Sequence, residues 1–297
     1  MLAQERVSLW RRGYITFGCD RPLAACKAVL YSTSAFSDAR SVFHVIQRQM
    51  TQSDRPHYQR APIAEAIIDL RLVEPVSLET VKAAADRLKD DFPIQFPIYQ
   101  FSVEIPAQSD EEQLAPTNTQ EFLGWRLTNK EQSRVILLQR QGFTFSHLPP
   151  YSEWSQFSGE ARRHWTCFSE YLQSSDVQRV AVRIVNRIPV AAGHVDLKHY
   201  LNVYPLLPES LPSVANALFV QLQLSVPHID PSARVIINVA SGQQSESGPH
   251  LLLDIDLFVE RKTSDVDEIW ALLDKFGREK NVIFETCITD EVRKLIK

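Results

Sequence analysis

Three arginines recur at every fourth position, Arg179, Arg183 and Arg187, inside the otherwise apolar run RVAVRIVNRI. In an extended strand side chains alternate, so these guanidiniums share one face. Val180, Val182, Ile184, Ile188 and Val190 take the other face, joined by Asn186. A row of planar, forked donors can hold phosphate or carboxylate bidentately. Arg183, Asn186 and Arg187 are therefore candidates for binding a small anionic ligand or a protein partner. The competing reading is structural. Residues 251–260 place Asp254, Asp256 and Glu260 on one face of another strand, where they could pair across the sheet with the arginines. Asn186, on an apolar face, needs hydrogen-bond partners if buried, and a backbone contact would serve.

Tyr151 and Trp154 follow the double proline Pro149-Pro150. They could stack on a base or sugar ring, or pack their loop onto the next helix. Glu65 and Asp69 share a strand face about 13 Å apart, too far to share a proton or clasp a metal unaided. Together with Arg71 they read as a solvated or interface face. His164 and Cys167 stand three apart on an expected helix, between Trp165 and Phe168, and no third ligand can be assigned. The nine glycines stand apart, and no GxGxxG or GxxxxGK[ST] can be written. Nor can GxSxG, HExxH or SxxK. No catalytic residue is assigned, and neither a cofactor nor a metal is expected.

The elements that must position these residues alternate clearly after residue 60. Residues 61–72 form a strand with Ala64, Ala66, Ile68, Leu70 and Leu72 on one side. A helix capped by Ser77 follows, then strands near 97–105, 124–129, 134–140 and 143–148, with a polar loop over roughly 106–120. A helix begins near Ser155. The second half repeats this outline: a long strand over 177–190, a proline-rich stretch, strands over 217–226, 233–240 and 251–260, and a helix over 264–278. A strand over 282–288 and a short helix capped by Thr289 finish the chain. Runs of strands closed by a helix, twice, predict an α+β fold of two antiparallel sheet-plus-helix halves, 61–175 and 176–297.

Residues 1–49 differ. Seven basic residues face three acidic ones, and no period persists. With methionines only at 1 and 50, the expectation is that Met50 is the true start. Residues 1–60 are then a poorly structured extension, with a disordered tail or a transit-type presequence as alternatives. Four scattered cysteines suit a reducing compartment, and no apolar run is long enough for a membrane helix. The net charge of -4 gives no general attraction to nucleic acid or anionic membrane.

Four blocks taken together, APIAEAIIDLRL at 61–72, LPPYSEW at 148–154, RVAVRIVNRI at 179–188, and IFE with ITD at 283–290, resemble a sporadically distributed prokaryotic family to which no activity is attached. The resemblance spans roughly 60–297. It implies a cytoplasmic bacterial or archaeal protein, accessory to mobile-element or defence systems, and transfers no catalytic residue. The expectation is a non-catalytic interaction or ligand-binding module. The alternatives are an enzyme with a site between the halves, near Arg183, Arg187 and Tyr151, and a nucleic-acid-binding protein.

Overall fold

The computed structural model describes residues 58–297 apart from 105–116, 152, 192–195, 206–207, 209, 211–216 and 243–247, with backbone alone at 101–104 and 117–119. The expectations for a Met50 start and an N-terminal extension lie, over 1–57, outside the described residues. Just beyond them the chain is anchored. The Tyr58 hydroxyl donates to Glu285 Oε1 at 2.7 Å, and the Arg60 amide donates to the Ile296 carbonyl.

Among the described residues nine strands form one antiparallel sheet. They are β1 (Ile63–Leu72), β2 (Ile94–Glu104), β3 (Thr117–Thr128), β4 (Arg134–Gln139), β5 (Gly142–His147), β6 (Val177–Pro189), β7 (Phe219–Ser225), β8 (Arg234–Ser241) and β9 (His250–Thr263). Their order across the sheet is β2-β3-β4-β5-β1-β6-β9-β8-β7. In each half the first strand leaves, and a meander returns to lie beside it: β5 beside β1, and β9 beside β6. The halves join where β1 pairs β6 antiparallel, with Ala66 opposite Ile184 and Asp69 opposite Ala181. The α+β, antiparallel expectation holds. The two halves are wings of one sheet, and His57–Lys297 is one compact unit.

The described helices are α1 (Leu78–Arg87), α2 (Trp154–Ser169), α3 (Leu197–Tyr200), α4 (Val266–Cys287) and α5 (Asp290–Ile296). Ser77 caps α1, its hydroxyl accepting from the Thr80 amide at 3.1 Å. Phe157, Ala161, Trp165 and Phe168 of α2 recur on one stripe and are fully buried. They and the buried side chains of α1, α4 and α5 meet Ala66, Ile68, Leu70, Phe143, Phe145, Val182 and Leu253 in one apolar cluster. The described helices thus share one face of the sheet.

Two expected elements differ: β3 begins at Thr117, inside the stretch expected as a loop, and the last expected strand is absent. The strand over 282–288 does not exist, because α4 runs unbroken to Cys287. Val282, Ile283 and Ile288 favour extended backbone, but Phe276, Lys280 and Cys287 recur at helical spacing and are buried. Burying that stripe outweighs local preference. Only Ile288 is extended, as a single bridge to Leu201.

Gly142 opens β5 at φ +154°, and a Cβ there would sit 2.2 Å from the Leu70 carbonyl oxygen. The backbone of β1 could not approach any other residue so closely.

Candidate functional site

The face opposite the helices carries the arginine row, and it is crossed by two hydrogen-bonded chains of polar side chains. In the first, Thr144 of β5 donates to Asp69 Oδ1 at 2.6 Å, and Arg71 and Arg179 donate to Asp69 Oδ2, each at 2.9 Å. Arg179 reaches on to Asp256 Oδ2 at 2.9 Å, its guanidinium 4.9 Å above the Phe258 ring. In the second chain, Arg183 holds Asp254 bidentately at 2.8 and 2.7 Å. Asn238 of β8 donates to Asp254 Oδ2 at 3.0 Å, and Gln221 of β7 donates to Asn238 Oδ1 at 2.8 Å.

Strand alternation dictates this ladder. Asp69, Arg179, Arg183, Asp254, Asp256 and Asn238 occupy the same face of adjacent strands. Three carboxylates meet three guanidiniums, so the ladder is internally neutral. Its electrostatics agree. The hydrogen bonds that Arg183 donates to Asp254 raise the Arg183 pKa further above its ordinary value. Burial pushes the Asp256 carboxyl up against the pull of Arg179 and Arg183, and its Oδ1 meets no donor among the described residues. Asp69 corrects the expectation of a solvated face: it is 5% exposed, beneath the side chains it binds.

The candidate residues do not converge. Arg183 and Arg187 lie on the ladder face, Arg183 paired and Arg187 exposed. Asn186 points into the apolar side, 2% exposed, and donates to the Leu253 carbonyl at 3.1 Å. Tyr151 and Trp154 sit on the helix side. Tyr151 packs 5.2 Å from the His147 ring and 5.9 Å from Phe157. The Trp154 indole donates to Asp274 Oδ1 at 2.9 Å and covers Gly277. The loop therefore packs onto α2 and α4, and a nine-stranded sheet separates Tyr151 from Arg183 and Arg187.

A described cleft of about 280 Å³ lies elsewhere, between α2 and the β3–β4 turn. Asp91, Asn129, Arg134, Glu160, Arg163 and His164 line it. Arg134 and Glu160 pair across it at 2.5 Å. His164 is 4% exposed, edge-on to Phe92 at 5.0 Å. Burial, aided by Arg163, lowers its pKa to about 4 against the pull of Asp91 and Glu160. The imidazole is therefore neutral in the fold, while the unfolded chain takes its proton below about 6.5. Stability is full above that value and falls as pH drops toward 4, by about 2 kcal/mol between pH 7 and pH 5. His147, also lowered by burial, acts in the same direction. Urea unfolding at the two pH values should show this loss, and His164→Leu should remove most of it. Burial pushes the Cys167 thiol up, away from a reactive thiolate. Among the described residues no group of three or more His, Cys, Asp or Glu could hold a metal ion.

A sheet face or sheet edge is one of the binding surfaces the sequence suggests, and the strand order makes β2 and β7 the edges among the described strands. At one end, β2 carries Pro97 and a register shift at Ile98/Tyr99. At the other, β7 reads FVQLQLS, with neither proline nor charge nor register shift. Phe219 is 69%, Leu224 50% and Leu222 38% exposed. The signal was present as an uncharged stretch from Ser210 to Pro227. No family model and no curated protein matches the sequence. Among the described residues no helix is long and apolar enough to cross a membrane.

Proposed function

We propose that the protein is a non-catalytic interaction module that takes up a polypeptide strand along the outer edge of β7. The observation that carries this reading is the contrast between the two edges. Proteins guard exposed edges with charge, proline or bulges, because a bare edge is a template for pairing. β2 has such guards and β7 has none. Backbone hydrogen bonds would supply affinity, and the exposed Phe219, Leu222 and Leu224 would supply contact area.

The polar ladder supports the same reading by subtraction. Arg179 and Arg183 spend donors on Asp69, Asp256 and Asp254, which weakens the case for a small anion or a nucleic acid on that face. The candidate residues Arg183, Asn186, Arg187, Tyr151 and Trp154 form no common pocket, which weakens the case for an enzyme site between the halves. An accessory, non-enzymatic role fits a module of this kind.

A photo-crosslinking amino acid placed at Gln223, with a control at Gln95 on β2, tests the proposal in the protein's own host. A polypeptide adduct at Gln223 and none at Gln95 is the expected result. Absence of any adduct at Gln223 would end this reading.

A further inference from the structure

The uncharged edge also names its own partner: we infer that the strand added to β7 is β7 of a second copy of this chain, paired antiparallel about a two-fold axis at Leu222. The inference rests on the strand-addition reading and commits it to one occupant.

The printed backbone geometry sets the register. The Ser241 amide bonds to the Leu218 carbonyl at 3.1 Å and the Val226 amide to the Ala233 carbonyl at 2.9 Å. Leu218 and Val226 thus turn their backbone groups inward, to β8. With a strand period of two, Phe219, Gln221, Gln223 and Ser225 turn theirs outward. Two copies of β7 overlap over their whole length only when centred on Leu222. Gln221 then faces the second copy's Gln223, and Phe219 faces its Ser225, each pair exchanging both backbone bonds. Leu222 meets its own counterpart in a non-hydrogen-bonded pair, where side chains come closest.

The faces match as well. Val220, Leu222 and Leu224 lie opposite Val239, Ile237 and Val235 of β8, on the apolar side. In the pair, Val220 meets Leu224 and Leu222 meets Leu222, so the apolar layer continues across the axis. Gln221 and Gln223 pair on the polar side. From Ser210 to Pro227 there is no Asp, Glu, Lys or Arg, so no like charges are opposed.

Closure follows from the other edge. A two-fold pair consumes both β7 edges and leaves, among the described strands, β2 at each end of the doubled sheet. Pro97 and the register shift block further addition there, so pairing stops at two copies instead of running on as a filament.

Light scattering on the purified full-length chain, over a micromolar concentration series, tests the inference. The expected result is a mass of two chains for the wild type. Leu222→Lys and Leu222→Asp should each be monomeric alone, because each opposes its own charge at the axis, and mixing the two should restore the dimer. Gln223→Pro removes only an outward amide, leaves the β8 ladder intact and should also be monomeric with an unchanged circular dichroism spectrum. A monomeric wild type throughout the series overturns the inference. So does a dimer that persists in Leu222→Lys. A monomeric wild type that still crosslinks another polypeptide at Gln223 overturns self-pairing and leaves strand addition standing. Failure of both experiments ends both.

Discussion

Asp69→Ala is expected to lower the unfolding free energy by about 3 kcal/mol, a large share of the 5–15 kcal/mol of an ordinary domain. Asp69 accepts from Thr144, Arg71 and Arg179 at once. Its removal strands the Arg71 guanidinium and leaves Arg179 with Asp256 alone, on side chains that are only 23% and 20% exposed. Breaking a buried pair leaves an uncompensated charge, which costs more than the pair itself contributes. The figure is at the low end of that class because both arginines retain some water. Asp69→Asn keeps an acceptor and should lose roughly half as much. The double variant Asp69→Ala/Arg179→Leu should lose clearly less than the sum of its singles, since the two residues act as a unit. Urea denaturation of the wild type, the double variant and the three singles Asp69→Ala, Asp69→Asn and Arg179→Leu checks this. A loss below about 1 kcal/mol for Asp69→Ala would mean that the ladder is loose surface polarity and not a locked element.

The second large effect lies on the helix side. Trp165 is fully buried, 5.8 Å from Phe143 and 6.0 Å from Phe168, where α2 crosses β5. Trp165→Ala removes the largest fully buried side chain among the described residues and should cost about 4 kcal/mol from lost burial and the cavity left behind. The indole nitrogen meets no acceptor among the described residues. Trp165→Phe therefore removes a costly unsatisfied donor along with some volume, and should cost no more than about 1 kcal/mol. A thermal or urea transition for each variant reads the contrast directly. Equal losses for the two would show that the donor is satisfied after all.

Much of this architecture was legible because alternation is a strong signal. Ala66, Ile68 and Leu70 against Glu65, Asp69 and Arg71 fixed which side of β1 is greasy. The same period paired Arg183 with the acids of 251–260 as one of two readings. What alternation could not give was reach. Arg183 stands opposite Asp256 in register yet binds Asp254, and Arg179 bypasses its opposite residue Glu260 for Asp69 and Asp256. Long side chains lean along the strand, and only packing decides which way. The burial of Asp69, read from the sequence as part of a solvated or interface face, was hidden for the same reason, since its cover comes from β6 and β5, far away in sequence. The final turns of α4 were misread because Val282 and Ile283 carry a local strand preference that burial of Phe276, Lys280 and Cys287 overrides. The edge position of β7 among the described strands was not legible, because it is a property of strand order, which spacing along one chain does not encode.

The placement of β1 at the middle of the sheet has a kinetic consequence. Its partners are residues 142–147 on one side and 177–186 on the other, so neither neighbour exists when β1 leaves the ribosome. At roughly 5–20 residues per second, β1 waits several seconds for both. Pairings this distant in sequence make for slow folding, on the millisecond-to-second scale of sheet-dominated chains. During synthesis a strand whose Ala66, Ile68, Leu70 and Leu72 are buried in the finished fold is therefore also one with two unmet borders, and the nascent chain needs shielding until β6 emerges.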